Sequence, residues 1–264
     1  KLLTFAGKLH INNFSCIMAN VIKIKKGLDI NLKGKASDVL LNGGKSDSYA
    51  IVPDYYNGIV PKVVAKVGEK VKAGSVLMID KNRPEIKFVS PVSGEVTAVN
   101  RGEKRKVLSI VVKPDAQIEY EEFGKKNVAS LQGAEVKEVL LNAGMWPFIK
   151  QRPYDIVAAP LDTPRDIFVS AFYSAPLAPN FDFIVKGQEA DFQTGLNALA
   201  KLTNGKVYVG VRSGSVVSGM KGVEIVEVEG PHPAANVGVQ INHIKPVNKG
   251  EVVWTVNPAD VIVI

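Results

Sequence analysis

The sequence predicts a two-domain protein of mixed α+β and α/β character, a compact all-β unit followed by a domain of alternating strands and helices. Three observations carry this. Residues 58–99 hold short β-branched strands separated by glycine and proline turns, the pattern of a small all-β unit. From residue 167 to 256, strands and helix-period segments take turns, which implies a parallel sheet with right-handed crossovers. At 264 residues two domains fit better than one, and the acidic, proline-started stretch 114–124 suits the boundary.

Within the all-β unit, Val60, Val63 and Val64 lead into residues 67–74, and the apolar strand 76–79 follows. Gly68 and Gly74 stand where the chain must turn, since glycine reaches positive φ without a Cβ penalty. Phe88 and Val89, the turn 90–94 and the strand 95–99 repeat the pattern. A strand at 21–25 and an apolar segment at 49–52 precede it; a charged hairpin at 101–106 and a strand at 107–112 close it. The stretches VGEKVKAGSVLMID and SPVSGEV resemble the biotinyl/lipoyl carrier domain, which implies a barrel-sandwich hybrid. In those carriers a hairpin-tip lysine, eight residues before the proline of the second motif, takes the cofactor. Arg83 stands there instead, and a permanently protonated guanidinium cannot form the amide. Lys81 is two residues away and is followed by Asn82, Arg83 and Pro84, a rebuilt hairpin. The expectation is the carrier fold with no covalent cofactor.

In the second unit, a helix over 135–143 has apolar residues at 136, 139, 140 and 143 and stops at Gly144. A stiff aromatic connection, 145–153, leads to a buried-type strand at 167–172. A helix over 187–202 carries Phe192, Leu196, Leu199 and Ala200 on one face, followed by strands at 206–211 and 223–228. A helix around 234–243 and a last strand near 252–256 complete a Rossmann-like α/β domain. It has no dinucleotide fingerprint: Gly210, Gly214 and Gly219 are wrongly spaced, and Val223 starts a strand where a helix should open. Gly43-Gly44-Lys45-Ser46 lacks the first glycine of a phosphate loop, since Val39 occupies that position, and reads as a surface turn. The domains are therefore drawn as 18–113 and 114–264. Residues 1–17 are an upstream extension, and Met18 is the expected natural start.

Composition narrows the classes. Hydrophobic residues at 46% and charged residues at 22% supply a sizeable core. The longest uncharged run, between Asp166 and Asp182, is broken by Ser174, Pro176 and Pro179 and is too short to span a bilayer. The apolar stretch 2–6 is too short for a signal peptide. Cys16 is the single cysteine, which excludes intrachain disulfides and cysteine-ligated clusters and fits a cytoplasmic protein. The net charge of +7 is uneven: residues 18–113 hold 18 Lys and Arg against 9 Asp and Glu, residues 114–264 hold 13 against 17. Such a split fits an anionic membrane face or an acidic partner, or simply lysines on solvent faces. Aromatics at 7% do not interleave with the basic residues, which argues against nucleic acid.

A second specific stretch is Gly230-Pro231-His232-Pro233-Ala234. With IKIKKGLDI, KFVSPVSGEV, NAGMWPFIKQRP and WTVNPADVIVI, it resembles the A-subunit family of the Na+-translocating NADH:quinone oxidoreductase, in one register from about Val21 to Ile264. More distant resemblances are the corresponding component of the Rnf complex and the flavoprotein component of respiratory complex I. The Rnf relative carries cysteine clusters, and no cysteine follows Cys16 here, which favours the quinone-reductase branch. The family chain continues through a β-grasp-like domain and a helical region, so this chain reads as an N-terminal fragment. The resemblance implies a peripheral subunit on the cytoplasmic side of the bacterial inner membrane, in a six-subunit translocase. That complex passes electrons from NADH to quinone and exports sodium. NADH and quinone are its substrates, and flavins and the NADH site belong to other subunits. The implied partners are the other subunits, quinone and the inner membrane face. The implied role is docking or quinone contact, with no self-contained catalytic centre and no activity in the fragment alone. The alternative is a free-standing binding or carrier-like protein with an unmodified biotinyl-like domain.

His232, Trp146 and Phe148 are the candidate site residues. His232 lies at the carboxyl end of a sheet strand, where open α/β sheets bind ligands, and the next helix N-terminus could hold an anion. The competing reading is a proline-stiffened turn capped by His232. Trp146 and Phe148 would contact a quinone ring or a partner, or else pack between domains. His243 reads as a packing or surface residue. No metal spacing such as His-Glu-x-x-His appears, and no Ser/His/Asp order or nucleophile elbow.

Overall fold

A computed structural model describes residues 20–34 and 37–264; the expected extension 1–17 and the start at Met18 lie outside the described residues. The first part of the chain contains β1 (Asn20–Lys23), β2 (Tyr49–Ile51), β3 (Pro61–Val63) and β4 (Lys70–Val71), then β5 (Val76–Asp80), β6 (Lys87–Val89), β7 (Gly94–Arg101) and β8 (Val107–Pro114). The rest contains α1 (Gly133–Asn142), β9 (Lys150–Arg152), β10 (Ile156–Val157), β11 (Ile167–Ser170), α2 (Phe181–Val185) and α3 (Glu189–Ala200). It ends with β12 (Val207–Val211), β13 (Glu224–Glu229), α4 (Val237–Ile244), β14 (Val253–Val256) and α5 (Pro258–Val263).

Seven strands form one mixed sheet in the order β1-β13-β12-β11-β14-β9-β10. Its centre, β14-β11-β12-β13, is parallel, and β9 joins β14 antiparallel. Strands buried on both faces need near-continuous apolar residues, and Ile167, Phe168 and Val169 of β11 are all buried. Helices α2, α3 and α5 pack together, with Phe192, Leu196 and Leu199 forming the inner stripe of α3. Buried Ile241 of α4 joins Phe168 and Val253 in a separate apolar cluster. Helix α1 opens with the Glu135 carboxylate accepting from the Gln132 N–H at 2.7 Å and stops at Gly144, at φ 71°, where any Cβ would strike Val89.

The all-β unit is a four-stranded sheet, β2-β8-β7-β4, and a three-stranded one, β3-β5-β6. Leu77, Met78, Phe88, Val96, Ile110 and Val112 from both sheets share one buried cluster with Trp146, Ile149 and the inner side of the α/β sheet.

Several elements depart from the sequence reading, among them the short helix α2, which has no counterpart in it. The strand expected at 21–25 inside the all-β unit is β1, and it pairs parallel with β13 at the edge of the large sheet, Ile22 opposite Val228. Alternating Ile22 and Ile24 pack with Phe172, Val226 and Val228, so the same periodicity that predicted a strand serves a different sheet. The connection at 145–153 contains β9, which turns back as the β9–β10 hairpin and makes the sheet mixed rather than parallel. Helix α5 follows the last strand directly, capped by the Asn257 side chain accepting from the Ala259 N–H at 3.0 Å.

The hairpin tip that bears a swinging lysine in carriers is here docked. Asp80 is fully buried and accepts from the Val60 N–H at 3.0 Å, the Asn82 N–H at 3.1 Å and Arg83 Nε at 2.7 Å. The Arg83 guanidinium also donates to the Gly58 carbonyl at 2.9 Å and to the Val157 carbonyl of the α/β unit at 3.1 Å. Removing one member of such a buried pair leaves the other uncompensated. Arg83→Ala is therefore expected to cost about 3 kcal/mol in urea unfolding, and Arg83→Lys to recover only part of that, because a point ammonium cannot serve a carboxylate and two carbonyls together. A loss of under about 1 kcal/mol for Arg83→Ala would mean the docked tip contributes little.

Candidate functional site: two clefts on either side of Phe148

The first cleft, about 750 Å³, lies over the carboxyl ends of β11 and β14 and is lined by Ser170, Phe172, Tyr173, Thr255, Val256 and Asn257. Lys150 and Arg152 of β9 enter it from one side, Tyr55, Tyr56 and Phe148 from another, and the first turn of α4 and Asp260 close it. Lys150 and Arg152 share a strand face because they are two residues apart, and Thr255 stands directly opposite Lys150. The Lys150 ammonium sits 5.1 Å from the Tyr56 ring centroid. Burial pulls its pKa down, with Asp155 and Asp260 opposing. Asp260 is pushed up to about 6 by burial, against the Lys150 charge. Tyr56 and Tyr173 are also pushed up, by burial first and by Asp260 as well, and the Tyr173 hydroxyl bonds Asn257 at 3.0 Å.

The second cleft, about 610 Å³, opens between the all-β unit and the 143–148 segment. Its walls are apolar, with Phe88, Phe123, Met145, Tyr120 and Val263 among them, and Tyr55, Tyr56, Pro147 and Phe148 belong to both clefts.

The expected residues separate. Phe148 is half-buried and walls both clefts. Trp146, two residues earlier, is wholly buried: its indole N–H donates to the Ala158 carbonyl at 2.8 Å, and its ring meets Trp254 edge-on at 5.4 Å. It lines neither cleft. His232 lies outside both, with Nδ1 3.0 Å from Ser174 Oγ and its backbone N–H donating to the Asp29 carboxylate at 2.8 Å. His243 is exposed on α4, its Nδ1 2.8 Å from the Val239 carbonyl of the preceding turn. Lys150, Arg152, Asp260 and Tyr56 went unmarked in the sequence. The available signal was the Lys-x-Arg alternation after the Trp-Pro-Phe segment, and an Asn-Pro-x-Asp helix start after the last strand. Among the described residues no group of three or more His, Cys, Asp and Glu could hold a metal ion, and no helix is long and apolar enough to cross a membrane.

A small all-β unit joined to a helix-flanked mixed sheet, with clefts along the junction, defines a class that family comparison resolves. Residues 22–115 match the model of the NqrA N-terminal barrel-sandwich hybrid domain, and residues 131–264 that of the NqrA second alpha/beta domain. The chain belongs to the NqrA family, whose curated members are named as the A subunit of the Na(+)-translocating NADH-quinone reductase. It is 39% identical over 249 residues to the one from Hahella chejuensis, and 37% identical over 248 residues to those from Photorhabdus laumondii and Neisseria meningitidis serogroup A. Each match covers 92% of this chain and 56% of the relative, so the chain spans just over half the length of these proteins.

Because the folded state binds the Asp260 proton more tightly than the unfolded chain, its contribution to stability falls as pH rises from the ordinary carboxylate range to about 6. Asp260→Asn should leave thermal stability unchanged below pH ~4 and raise it above pH ~6 by about 1 kcal/mol, a figure discounted for partial exposure. A melting-temperature shift equal at every pH would contradict this.

Proposed function

We propose that the chain is part of a peripheral subunit of a sodium-pumping NADH:quinone reductase, on the cytoplasmic side of the bacterial inner membrane. It contributes docking and quinone contact rather than a catalytic centre of its own. The observation that supports this is the 36–39% identity to the NqrA proteins, which runs through both units and 92% of the chain. NADH oxidation and flavin chemistry fall to other subunits, no covalent cofactor is carried here, and nucleic acid has no part. We divide the chain at 18–113 and 114–264, reading the second unit as Rossmann-like, with β1 contributed to it by the first. The quinone or partner contact falls at Phe148, whose apolar cleft suits a ring without charge; Trp146 supports it from the core, and His232 stands outside both clefts.

In the intact complex, Phe148→Ala is expected to cut labelling of this chain by a photoreactive quinone analogue several-fold. Unchanged labelling would remove Phe148 from the contact.

Docking falls to the basic first unit, and its densest cationic cluster is residues 101–106, where Lys104, Arg105 and Lys106 are exposed. Lys106 pairs with Asp54 at 2.7 Å on the surface, a contact worth about 1 kcal/mol at most. Exposed cations near an anionic surface contribute roughly 1 kcal/mol each, within a Debye length of about 8 Å. Reversing Lys104, Arg105 and Lys106 to glutamate should leave folding intact and reduce co-purification with the membrane subunits, most strongly at low salt. Assembly equal to the parent at every ionic strength would show that the cluster is only a solvated face.

A further inference from the structure

We propose that the cleft over the carboxyl ends of β11 and β14 binds a small aromatic anion, its phosphate or carboxylate held by Arg152 and Lys150 and its ring by Tyr56, Phe148 and Tyr173. The site shares Tyr55, Tyr56, Pro147 and Phe148 with the apolar cleft assigned to quinone or partner contact, but its case rests on the charged side and is independent of that reading.

Its position follows from the topology. The chain leaves β11 through α2 and α3 to β12 on one side, and returns through α4 to β14 on the other. Connections that part in opposite directions leave a crevice beyond the strand ends, where open α/β sheets take ligands. The volume of about 750 Å³ lies within the usual range for a small-molecule site, roughly 300–1,000 Å³.

The charge follows from groups left unsatisfied. Among the described residues Arg152 Nε is buried and has no hydrogen-bond partner, while its Nη2 pairs with Asp155 alone, at 3.4 Å. Arg83 and Arg212 differ: Arg83 serves Asp80 and two carbonyls, and Arg212 donates to the carbonyls of Val228 and Gly230 at 3.2 and 2.9 Å. Among the described residues Lys150 forms no ion pair, and burial has already pulled it down. A desolvated cation and an unpaired guanidinium N–H are both costly. Nε itself is closed to solvent, so an anion in the cleft would meet Lys150 and the outer end of the Arg152 guanidinium. Two carboxylates also line the cleft: Asp155 is engaged by Arg152 Nη2, and Asp260 opposes an anion least when protonated, the direction in which burial moves it. Space exists: a Cβ built on Gly238 meets nothing nearer than Arg152 Nη1 at 3.9 Å. The aromatic walls make bare phosphate too small and a neutral ring too weakly held.

Calorimetric titration of the 264-residue chain with phenyl phosphate, benzoate, phenol and inorganic phosphate tests this. Phenyl phosphate or benzoate should saturate one site, and the tighter of the two tells a phosphate seat from a carboxylate one. Phenol and inorganic phosphate should bind about tenfold more weakly or worse, roughly 1.4 kcal/mol. Arg152→Gln should weaken the aromatic anion by at least about tenfold. Gly238→Glu places a carboxylate in the seat at a helix start that tolerates it, and should abolish binding while the melting temperature holds. The proposal is overturned if neither aromatic anion saturates below about 10 mM, if inorganic phosphate binds as tightly as phenyl phosphate, or if folded Gly238→Glu binds like the parent. Should Arg152→Gln fail to fold, Gly238→Glu decides alone.

Discussion

The Asp80 carboxylate is wholly buried, and three donors converge on it: the N–H groups of Val60 and Asn82 and the Arg83 guanidinium. Through Arg83 the same cluster reaches the carbonyls of Gly58 and Val157, one on each side of the junction. Gly58 is at φ 79°, and a side chain there would strike Ile156, so the two segments can approach only because glycine stands between them. The contact fixes residues 55–60 against the β9–β10 hairpin. Tyr55 and Tyr56 on one and Phe148 and Lys150 beside the other then wall the clefts. A mobile carrier tip would leave those walls without a fixed separation. The change from a lysine that swings to an arginine that holds is thus the constraint from which the junction geometry follows.

Most of the elements were legible in the sequence because their periodicity is local. The stripe of Phe192, Leu196 and Leu199 and the stop at Gly144 each need only a few neighbouring residues to be read. The destination of β1 was not, because alternation of Ile22 and Ile24 states that one face is buried without stating against which sheet. The three-residue β9 was hidden by an aromatic, proline-rich surrounding and by its two charged residues, which suggest solvent rather than a cleft floor. Of the site candidates, Phe148 was readable as an aromatic in a stiff segment. Trp146 was indistinguishable from it until the fold turned one inward and left the other half-exposed. His232 drew attention by its prolines, yet its ring is occupied by Ser174.

The two clefts share Tyr55, Tyr56, Pro147 and Phe148 but offer opposite chemistry. On the all-β side the wall is mainly hydrocarbon and aromatic ring, with Ser90 and Glu121 among the lining residues, and apolar contact dominates the fit. On the α/β side the same aromatic residues face two cations, Lys150 and Arg152, and two carboxylates, Asp155 paired with Arg152 and Asp260 pushed up to about 6 by burial. A charged ligand is penalised in the first by desolvation and a neutral one gains nothing from Lys150 or Arg152 in the second. Selectivity between them needs no gate, because it resides in which polar groups line each side.

The two ends of the large sheet show how to separate charges that hold the fold from charges left for a ligand. At the amino end, Asp166 is buried, which works against its ionisation. Lys245, the Lys206 N–H and Arg165 overcome that and hold it below the usual range. Arg165 in turn donates to the carbonyls of Lys245 and Pro246 just beyond the last turn of α4. Every member of that network has partners, so its charges are accounted for by structure alone. At the carboxyl end the accounting stays open: Asp155 engages Arg152 Nη2, yet among the described residues Arg152 Nε finds no acceptor, Lys150 rests on a ring, and Asp260 is pushed up to about 6. Burial is comparable in kind at both ends; what differs is satisfaction. A fold that completes a charged network at one end of a sheet and leaves the cations incompletely paired at the other keeps room at the second end for the proposed anion.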